Sequence, residues 1–180
     1  IFFLEKDQKL IYNDVRKFGF IKIYKLNKFI NNSHIKNLGP EPLQKNYNFN
    51  YFTQYIKGRK RSIKNILMDQ KFVSGLGNIY VNEILFYSKI KPTRNISELN
   101  NIEIKRILIN SKKILIKAIR FGGSSIKNFS SSSGKAGSFQ QYFAVYGKKG
   151  NQCSNTDCKY RIEKIVLSNR ASFFCQNCQK

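Results

Sequence analysis

The last 28 residues of the chain contain all four of its cysteines, and their spacing is typical of a metal site. Two close pairs are separated by sixteen residues: Cys153 with Cys158, and Cys175 with Cys178. Pairs of this kind, each on a tight turn and joined by a hairpin-length segment, bind Zn²⁺ through four thiolates. A disulfide framework is the alternative, and it fits poorly in a chain without secretory features. Because four thiolates leave no open coordination position, we expect one structural zinc ion and no metal-assisted hydrolysis.

A glycine-rich turn in the middle of the chain could bind a phosphate group. Gly75 and Gly77 precede a predicted helix and allow the backbone to approach an anion closely. The N-terminus of that helix offers unpaired N–H groups and a partial positive charge, and Asn78 could donate to the same phosphate. A plain helical hairpin without any ligand explains these residues equally well.

The elements that would position these residues are predicted from apolar spacing. Short apolar runs at 1–4, 10–12 and 20–24 predict β-structure, and the prolines within 39–42 predict a break. Helices are predicted over about 62–72, 79–88 and 98–121, with Ser62 capping the first and Gly122 following the last. Two strands, 162–167 and 171–174, alternate around a turn between the cysteine pairs.

The chain is strongly basic, with 33 Lys and Arg against 10 Asp and Glu and a formal net charge of +23. Such a surface favours nucleic acid or an acidic membrane as partner. An AT-rich genome would also enrich Lys, Asn and Ile, so part of the charge could be without function. No apolar run approaches the ~20 residues of a membrane span, and the first residues do not form a signal peptide. We therefore expect a cytoplasmic, nucleoid-associated protein that binds no membrane.

The run from Lys64 to Glu83, which includes the glycine turn, resembles the helix-two-turns-helix motif of the formamidopyrimidine-DNA glycosylases, which are bacterial enzymes of 8-oxoguanine repair. Four other stretches resemble the same family in the same order: 14–19, 38–43, 122–150 and the cysteine hairpin ending at 170–175. Val15 and Lys17 depart from the family's usual proline and arginine, and the first cysteine pair has a longer spacing.

The resemblance implies an α+β fold. Residues 1–38 would be the end of an N-terminal β-sandwich domain, and residues 39–50 an interdomain linker. Residues 51–147 would form a helix-two-turns-helix DNA-binding domain with a lesion-recognition loop, and residues 148–180 a zinc-ribbon β-hairpin.

The activity that the resemblance implies is base-excision repair: a DNA glycosylase with AP lyase activity that flips an oxidised purine out of the duplex. Its partner would be double-stranded DNA containing an oxidised purine or an abasic site, bound by a monomer. In the family the nucleophile is an N-terminal proline, assisted by a glutamate and a lysine, and none of the three has a match in this sequence. We therefore expect the chain to be the C-terminal two-thirds of such an enzyme and inactive by itself.

The resemblance also implies roles for individual residues. Asn78 and Arg170 match residues that hold phosphates around the flipped nucleotide, and Lys64 would support the same backbone beside Gly75 and Gly77. Arg16 would pair with the orphaned cytosine, and Phe18 would stack in the gap. Without the resemblance, Phe18 would be assigned to a core.

A serine- and glycine-rich loop would close over the extruded base and read it through backbone amides. It comprises Ser130, Ser131, Ser132, Ser133, Gly134, Lys135, Ala136, Gly137 and Ser138. Of the remaining candidates, Glu83 and Asp69 are expected to pack against or cap helices, and His34 to be solvated.

Two alternatives stay open at this point. An endonuclease VIII-type glycosylase, which prefers oxidised pyrimidines, shares the glycine turn and the zinc ribbon, although 16–19 and 77–80 resemble the purine enzyme more closely. A non-catalytic zinc-ribbon module that only binds DNA is the other. The lesion preference of the complete protein distinguishes the endonuclease VIII-type enzyme from the purine enzyme. Base excision by the complete protein distinguishes either enzyme from the non-catalytic module.

Overall fold

The structure is a computed structural model that describes residues 1–14, 17–25, 32–124 and 137–180. The chain divides into two compact units, Ile1–Lys36 and Asn37–Lys180. Arg16 and residues 130–136 of the expected lesion-recognition loop lie outside the described residues, as does the side chain of His34. No helix in the described part of the chain is long and apolar enough to span a bilayer.

Where the structure describes the first unit, it contains little regular structure. Strands β1 (Phe2–Phe3) and β2 (Lys9–Leu10) pair antiparallel, and a four-residue helix, α1, spans Ser33–Lys36. The predicted strand at 20–24 does not form, and Ile23 is 91% exposed. A strand needs a neighbour for its N–H and C=O groups, and within the described part of this unit β1 and β2 pair only with each other.

The described residues of the second unit form four further helices. They are α2 (Phe49–Ile56), α3 (Ile63–Leu67), α4 (Asn78–Tyr87) and α5 (Asn101–Arg120), with 3₁₀ turns at Ile96–Glu98 and Phe139–Tyr142. The helices predicted at 79–88 and 98–121 are confirmed. The one predicted at 62–72 ends at Leu67, because the Asp69 side chain accepts a hydrogen bond from Lys71 N (3.0 Å) and favours a turn instead.

Local side chains define the helix ends. Ser62 caps α3 as predicted, since its hydroxyl accepts from Asn65 N at 3.3 Å. Asn100 and Glu103 form a reciprocal capping box at the start of α5. After Arg120 the chain leaves the helix at Gly122, whose φ of 69° is a conformation that glycine adopts without strain.

Two hydrophobic clusters share helix α4. Ile84 and Leu85 are fully buried in the larger cluster, which gathers residues from all four helices. The next residue, Phe86, is 3% exposed and belongs to a smaller cluster with Val145, Phe173 and the cysteines. Because each buried side chain of this size contributes about 2 kcal/mol, α4 is held firmly between the helical core and the C-terminal hairpin.

The C-terminal hairpin consists of β3 (Ile162–Leu167) and β4 (Arg170–Cys175), paired from Ile162 with Cys175 to Leu167 with Arg170. The predicted strands are confirmed. Ser168 and Asn169 form the turn with φ values of 47° and 59°, and two positive values in succession match the twist of a two-residue hairpin.

Candidate metal centre and nucleic-acid interface

The four cysteine sulfurs lie within 4.8 Å of one another. The Sγ–Sγ distance is 3.8 Å for Cys153 and Cys178 and 3.6 Å for Cys158 and Cys175. A disulfide needs about 2.05 Å, and all four cysteines are free. Thiolates placed about 2.3 Å from one tetrahedral ion are about 3.8 Å apart, so the cluster has the dimensions of a four-sulfur metal site.

The longer spacing of the first cysteine pair does not disturb this cluster. The extra residues form a turn in which Cys158 N donates to Asn155 O at 3.0 Å, while Cys153 N donates to Tyr160 O at 2.9 Å. Burial raises the pKa of the Cys153 thiol to about 12. A bound divalent cation would offset that cost and hold the sulfur as thiolate.

Lys64 connects helix α3 to the hairpin. Its side chain is buried (1% exposed), and Nζ donates to Ala171 O at 2.8 Å and to Ser172 Oγ at 2.6 Å. Burial, and secondarily the nearby Arg170 guanidinium, lower the pKa of Lys64 to about 8. Lys64 and Arg170 line the same cleft, and an anion bound between them would stabilise the charged form of Lys64.

Two asparagines connect helix α4 to the same part of the hairpin. Asn78 Nδ2 donates to Ala171 O at 3.0 Å, so this carbonyl accepts from both Lys64 and Asn78. Asn82, which is fully buried, donates to Asn78 O and accepts from Phe173 N, each at 2.6 Å. Asn82 was not among the residues predicted from the sequence. Its one signal was a polar residue inside an apolar helical stretch, and its partner lies 91 residues further along the chain.

The glycine turn is held by Gln70, a second residue that was not predicted from the sequence. Gly75 N donates to Gln70 Oε1 at 2.9 Å, and Gln70 Nε2 donates to Leu76 O at 3.0 Å. Gly75 has a φ of 84°, which explains glycine there. The space beside Gly77 contains no atom within 4 Å of a Cβ position, and no side chain caps α4. The start of α4 is therefore accessible to an anion.

A cleft of about 360 Å³ lies between α3 and the tip of the hairpin. Three of its lining residues are cations, and its one carboxylate, Asp69, pairs with Arg61 at 3.2 Å. The cleft therefore carries net positive charge beside Arg170, whose side chain is exposed. Its lining residues are Arg61, Lys64, Asn65, Met68, Asp69, Leu167, Ser168 and Arg170.

Glu83 holds the segment that leads from the helices to the hairpin. Its carboxylate is 1% exposed and accepts from Ala144 N (2.7 Å), Val145 N (3.0 Å) and Tyr146 N (2.8 Å). Burial raises the pKa of Glu83, although these hydrogen bonds work in the opposite direction. Glu83 thus caps backbone amides, which agrees with the expected packing or capping role.

The other predicted residues are placed as follows. In the first unit Phe18 is 85% exposed, which argues against a core role. Its loop is shaped by Asp14, whose carboxylate accepts from Lys17 N (3.1 Å) and Gly19 N (2.6 Å).

In the second unit Ser138 N donates to Phe121 O at 2.9 Å, which anchors the end of the expected lesion loop. Lys64 and Asn78 both contact Ala171 O, and Arg170, the residue before Ala171, lines one cleft together with Lys64.

Comparison with known proteins gives one consistent result. Residues 38–130 match the family described as the formamidopyrimidine-DNA glycosylase H2TH domain. The formamidopyrimidine-DNA glycosylase of Listeria monocytogenes is 42% identical over 182 residues, which cover 100% of this chain and 65% of that protein. The chain therefore spans less than two thirds of that relative's length.

Solved structures agree. The complex between Lactococcus lactis Fpg and DNA containing an abasic site superposes with a TM-score of 0.85 at 36% identity, covering 93% of this chain and 60% of that one. A mutant of the Lactococcus lactis protein in complex with Fapy-dG-containing DNA gives the same TM-score, identity and coverage. The arrangement of helices and hairpin described above is therefore shared with structures that contain damaged DNA.

Proposed function

The chain belongs to the formamidopyrimidine-DNA glycosylase H2TH family, and from that membership we propose that it is the DNA-binding part of a base-excision repair glycosylase and AP lyase acting on oxidised purines. The observation that carries the proposal is the Lys64–Asn78–Arg170 cluster. Its three residues belong to three separate elements: Lys64 and Asn78 donate to the Ala171 carbonyl oxygen, and Arg170 directly precedes Ala171 on β4. Asn78 is also the first residue of α4, whose start is accessible.

A DNA phosphate fits this cluster chemically. The guanidinium of Arg170 can donate two parallel hydrogen bonds to phosphate oxygens. The Asn78 amide has two hydrogens on Nδ2, and one donates to Ala171 O, so the second is available to the same phosphate. The helix terminus adds backbone N–H groups and a partial positive charge. The partner is thus double-stranded DNA with an oxidised purine or an abasic site, bound by a monomer on the nucleoid.

The metal of the four-cysteine cluster is one zinc ion. Four sulfur ligands at tetrahedral spacing favour Zn²⁺ over Ca²⁺ or Mg²⁺, which prefer oxygen ligands. The ion supplies folding free energy to a hairpin that is too small to be stable by itself, and it takes no part in the chemistry.

The remaining proposals follow the family pattern. Phe18 fills the gap left by the flipped nucleotide, Arg16 pairs with the orphaned cytosine, and the loop 130–138 covers the base. The proposed domains are 1–38, 39–50, 51–147 and 148–180. The family's nucleophilic proline, glutamate and lysine have no match among the 180 residues. Residues 1–180 accordingly supply DNA binding and lesion positioning, and no nucleophile.

Fluorescence anisotropy with the 180-residue chain tests the proposal. We expect tighter binding to a duplex containing an abasic analogue than to the undamaged duplex, and no release of 8-oxoguanine. Asn78→Ala and Arg170→Ala should each weaken binding by about 1–3 kcal/mol, as is typical for hydrogen bonds involving a charged group. Lys113→Ala, which removes an exposed lysine of α5, is the matched control and should change the affinity little.

Each of the other outcomes would favour a different function for the chain. Equal affinity for damaged and undamaged DNA would favour a non-catalytic zinc-ribbon module. Stronger binding to duplexes with oxidised pyrimidines than with oxidised purines would favour an endonuclease VIII-type enzyme. Release of 8-oxoguanine by the chain would show that its residues contain a nucleophile after all.

A further inference from the structure

Strand β4 has an outer edge that faces helix α4. In an antiparallel pair, every second residue directs its N–H and C=O away from the partner strand. Residues Ala171 and Phe173 have this orientation, and among the described strands β4 pairs only with β3. The edge groups are instead satisfied by side chains: Asn78 donates to Ala171 O, and Asn82 accepts from Phe173 N.

The spacing of the two asparagines matches the spacing of the edge groups. Asn78 and Asn82 are four residues apart on α4, which corresponds to about 6 Å along the helix axis. Ala171 and Phe173 are two residues apart on β4, which corresponds to about 6.6 Å. Asn82 Nδ2 also donates to Asn78 O at 2.6 Å and joins the two contacts. One face of α4 therefore takes the place of a neighbouring strand.

This pairing holds in one register only. Sliding β4 by one residue would turn its edge groups to the opposite side, and sliding it by two would displace Arg170 by about 6.6 Å. Arg170 directly precedes Ala171, and Asn78 is the first residue of α4. The register of β4 on α4 therefore determines how far the Arg170 guanidinium lies from the Asn78 amide.

We propose that Asn82 is a positioning residue that sets the register of the zinc hairpin on α4, so that Arg170 and Asn78 bind the same phosphate. Its burial supports this role. A fully buried asparagine costs free energy unless its amide is hydrogen-bonded, and here both ends of the amide have partners. An apolar side chain of similar shape would leave Phe173 N without an acceptor. The inference rests on the proposed function for its DNA phosphate, although the register itself does not depend on DNA.

The first experiment needs no DNA. Asn82→Leu keeps the number and branching of the side-chain heavy atoms at residue 82 and removes both hydrogen bonds. We expect the variant to bind one Zn²⁺ per chain, while the Phe173 amide exchanges with solvent at least tenfold faster, as expected when a buried hydrogen bond is removed. An unchanged exchange rate at Phe173 would overturn the proposed register contact. If Asn82→Leu fails to bind zinc, the second variant is Asn82→Asp, which retains an acceptor for Phe173 N. This variant should bind zinc and keep the slow exchange of the Phe173 amide. Fast exchange of that amide in Asn82→Asp would also overturn the proposed register contact.

The second experiment is a double-mutant cycle on the abasic duplex. Asn82→Leu should weaken binding about tenfold and make the slope of log K against log salt less steep by about 0.9, the value for one lost phosphate contact. Adding Arg170→Ala to Asn82→Leu should then have little further effect, because Arg170 is already misplaced. Adding Lys113→Ala is the control and should change the affinity equally in both backgrounds. Independent effects of Asn82→Leu and Arg170→Ala would contradict a positioning role.

The two experiments separate the inference from the proposed function. If the wild-type chain does not prefer the abasic duplex, the proposed function fails, and hydrogen exchange at Phe173 still decides the register contact. If the wild-type chain does prefer it and the cycle shows no coupling, the positioning role fails and the proposed function stands.

Discussion

At the scale of single residues, two buried charged side chains, Lys64 and Glu83, hold separate elements of the second unit together. The chain has 33 lysines and arginines, yet Lys64 is distinguished by being buried and by donating to two acceptors on β4. Glu83 is distinguished in the same way among the acids, since it accepts three backbone hydrogen bonds. Both side chains join elements that are far apart in the sequence. Removing either one would therefore weaken the packing between those elements as well as the local structure.

The lowered pKa of Lys64 predicts a pH dependence of DNA binding. Its pKa in the folded chain is about 8, below the ordinary value of 10.5, so Lys64 loses its charge as the pH rises through about 8. The folded state then binds fewer protons than the unfolded state, and stability should increase from about pH 8 to about pH 10.5. Affinity for the abasic duplex should decrease as the pH rises through about 8, because the positive charge of Lys64 beside the phosphate is lost.

Anisotropy titrations from about pH 7 to about pH 9 measure this effect, and Lys64→Met is the matched variant. Methionine retains an unbranched side chain without the charge, so the variant should bind more weakly at pH 7 and show a smaller pH dependence. Equal pH dependence in wild type and Lys64→Met would assign the effect to another group.

At the scale of elements, the hairpin depends on the cysteine cluster. Two strands of six residues are marginal by themselves, and the small hydrophobic cluster beneath them includes Cys153, Cys158 and Cys175. The helices have a separate and larger core that extends from α2 to α5. Loss of the metal should therefore release the hairpin and leave the helices folded.

Chelation or Cys175→Ser tests this dependence. Removing one thiolate ligand should abolish zinc binding and lower affinity for the abasic duplex at least as much as Arg170→Ala does, because Arg170 is presented by the hairpin. Helical circular dichroism should be largely retained. Ser154→Ala, in the first cysteine turn, is the control and should change neither quantity. Unchanged DNA binding after complete metal removal would show that the metal does not position Arg170.

The elements that could be predicted from the sequence are those that depend on neighbouring residues in the chain. The helix over α4, the capping of α3 by Ser62 and the hairpin turn were predicted correctly, since apolar period and turn residues act within a few positions. The strand at 20–24 was wrong because a strand requires a neighbour, which its own residues cannot supply. Asn82 and Gln70 were missed for the same kind of reason: their partners are defined by folding, and for Asn82 the partner is in another element.

At the scale of the whole molecule, the net charge of +23 has two explanations. Codon bias toward lysine would place cations without regard to DNA, and exposed lysines on α5 such as Lys113 fit that view. A phosphate-binding surface would instead concentrate the energetically important cations at the Lys64–Asn78–Arg170 cluster. The two explanations predict different dependences of DNA affinity on salt concentration. Only cations that contact phosphates release counterions from DNA.

We expect log K for the abasic duplex to fall linearly with log salt, with a slope of about −0.9 for each phosphate contact. A footprint of about six contacts would reduce the affinity by roughly a thousandfold between about 50 mM and about 200 mM salt. Arg170→Ala should make the slope less steep by about 0.9, whereas Lys113→Ala should leave it unchanged. If the two variants alter the slope equally, binding is governed by total charge, and the cluster around Ala171 holds no phosphate of its own.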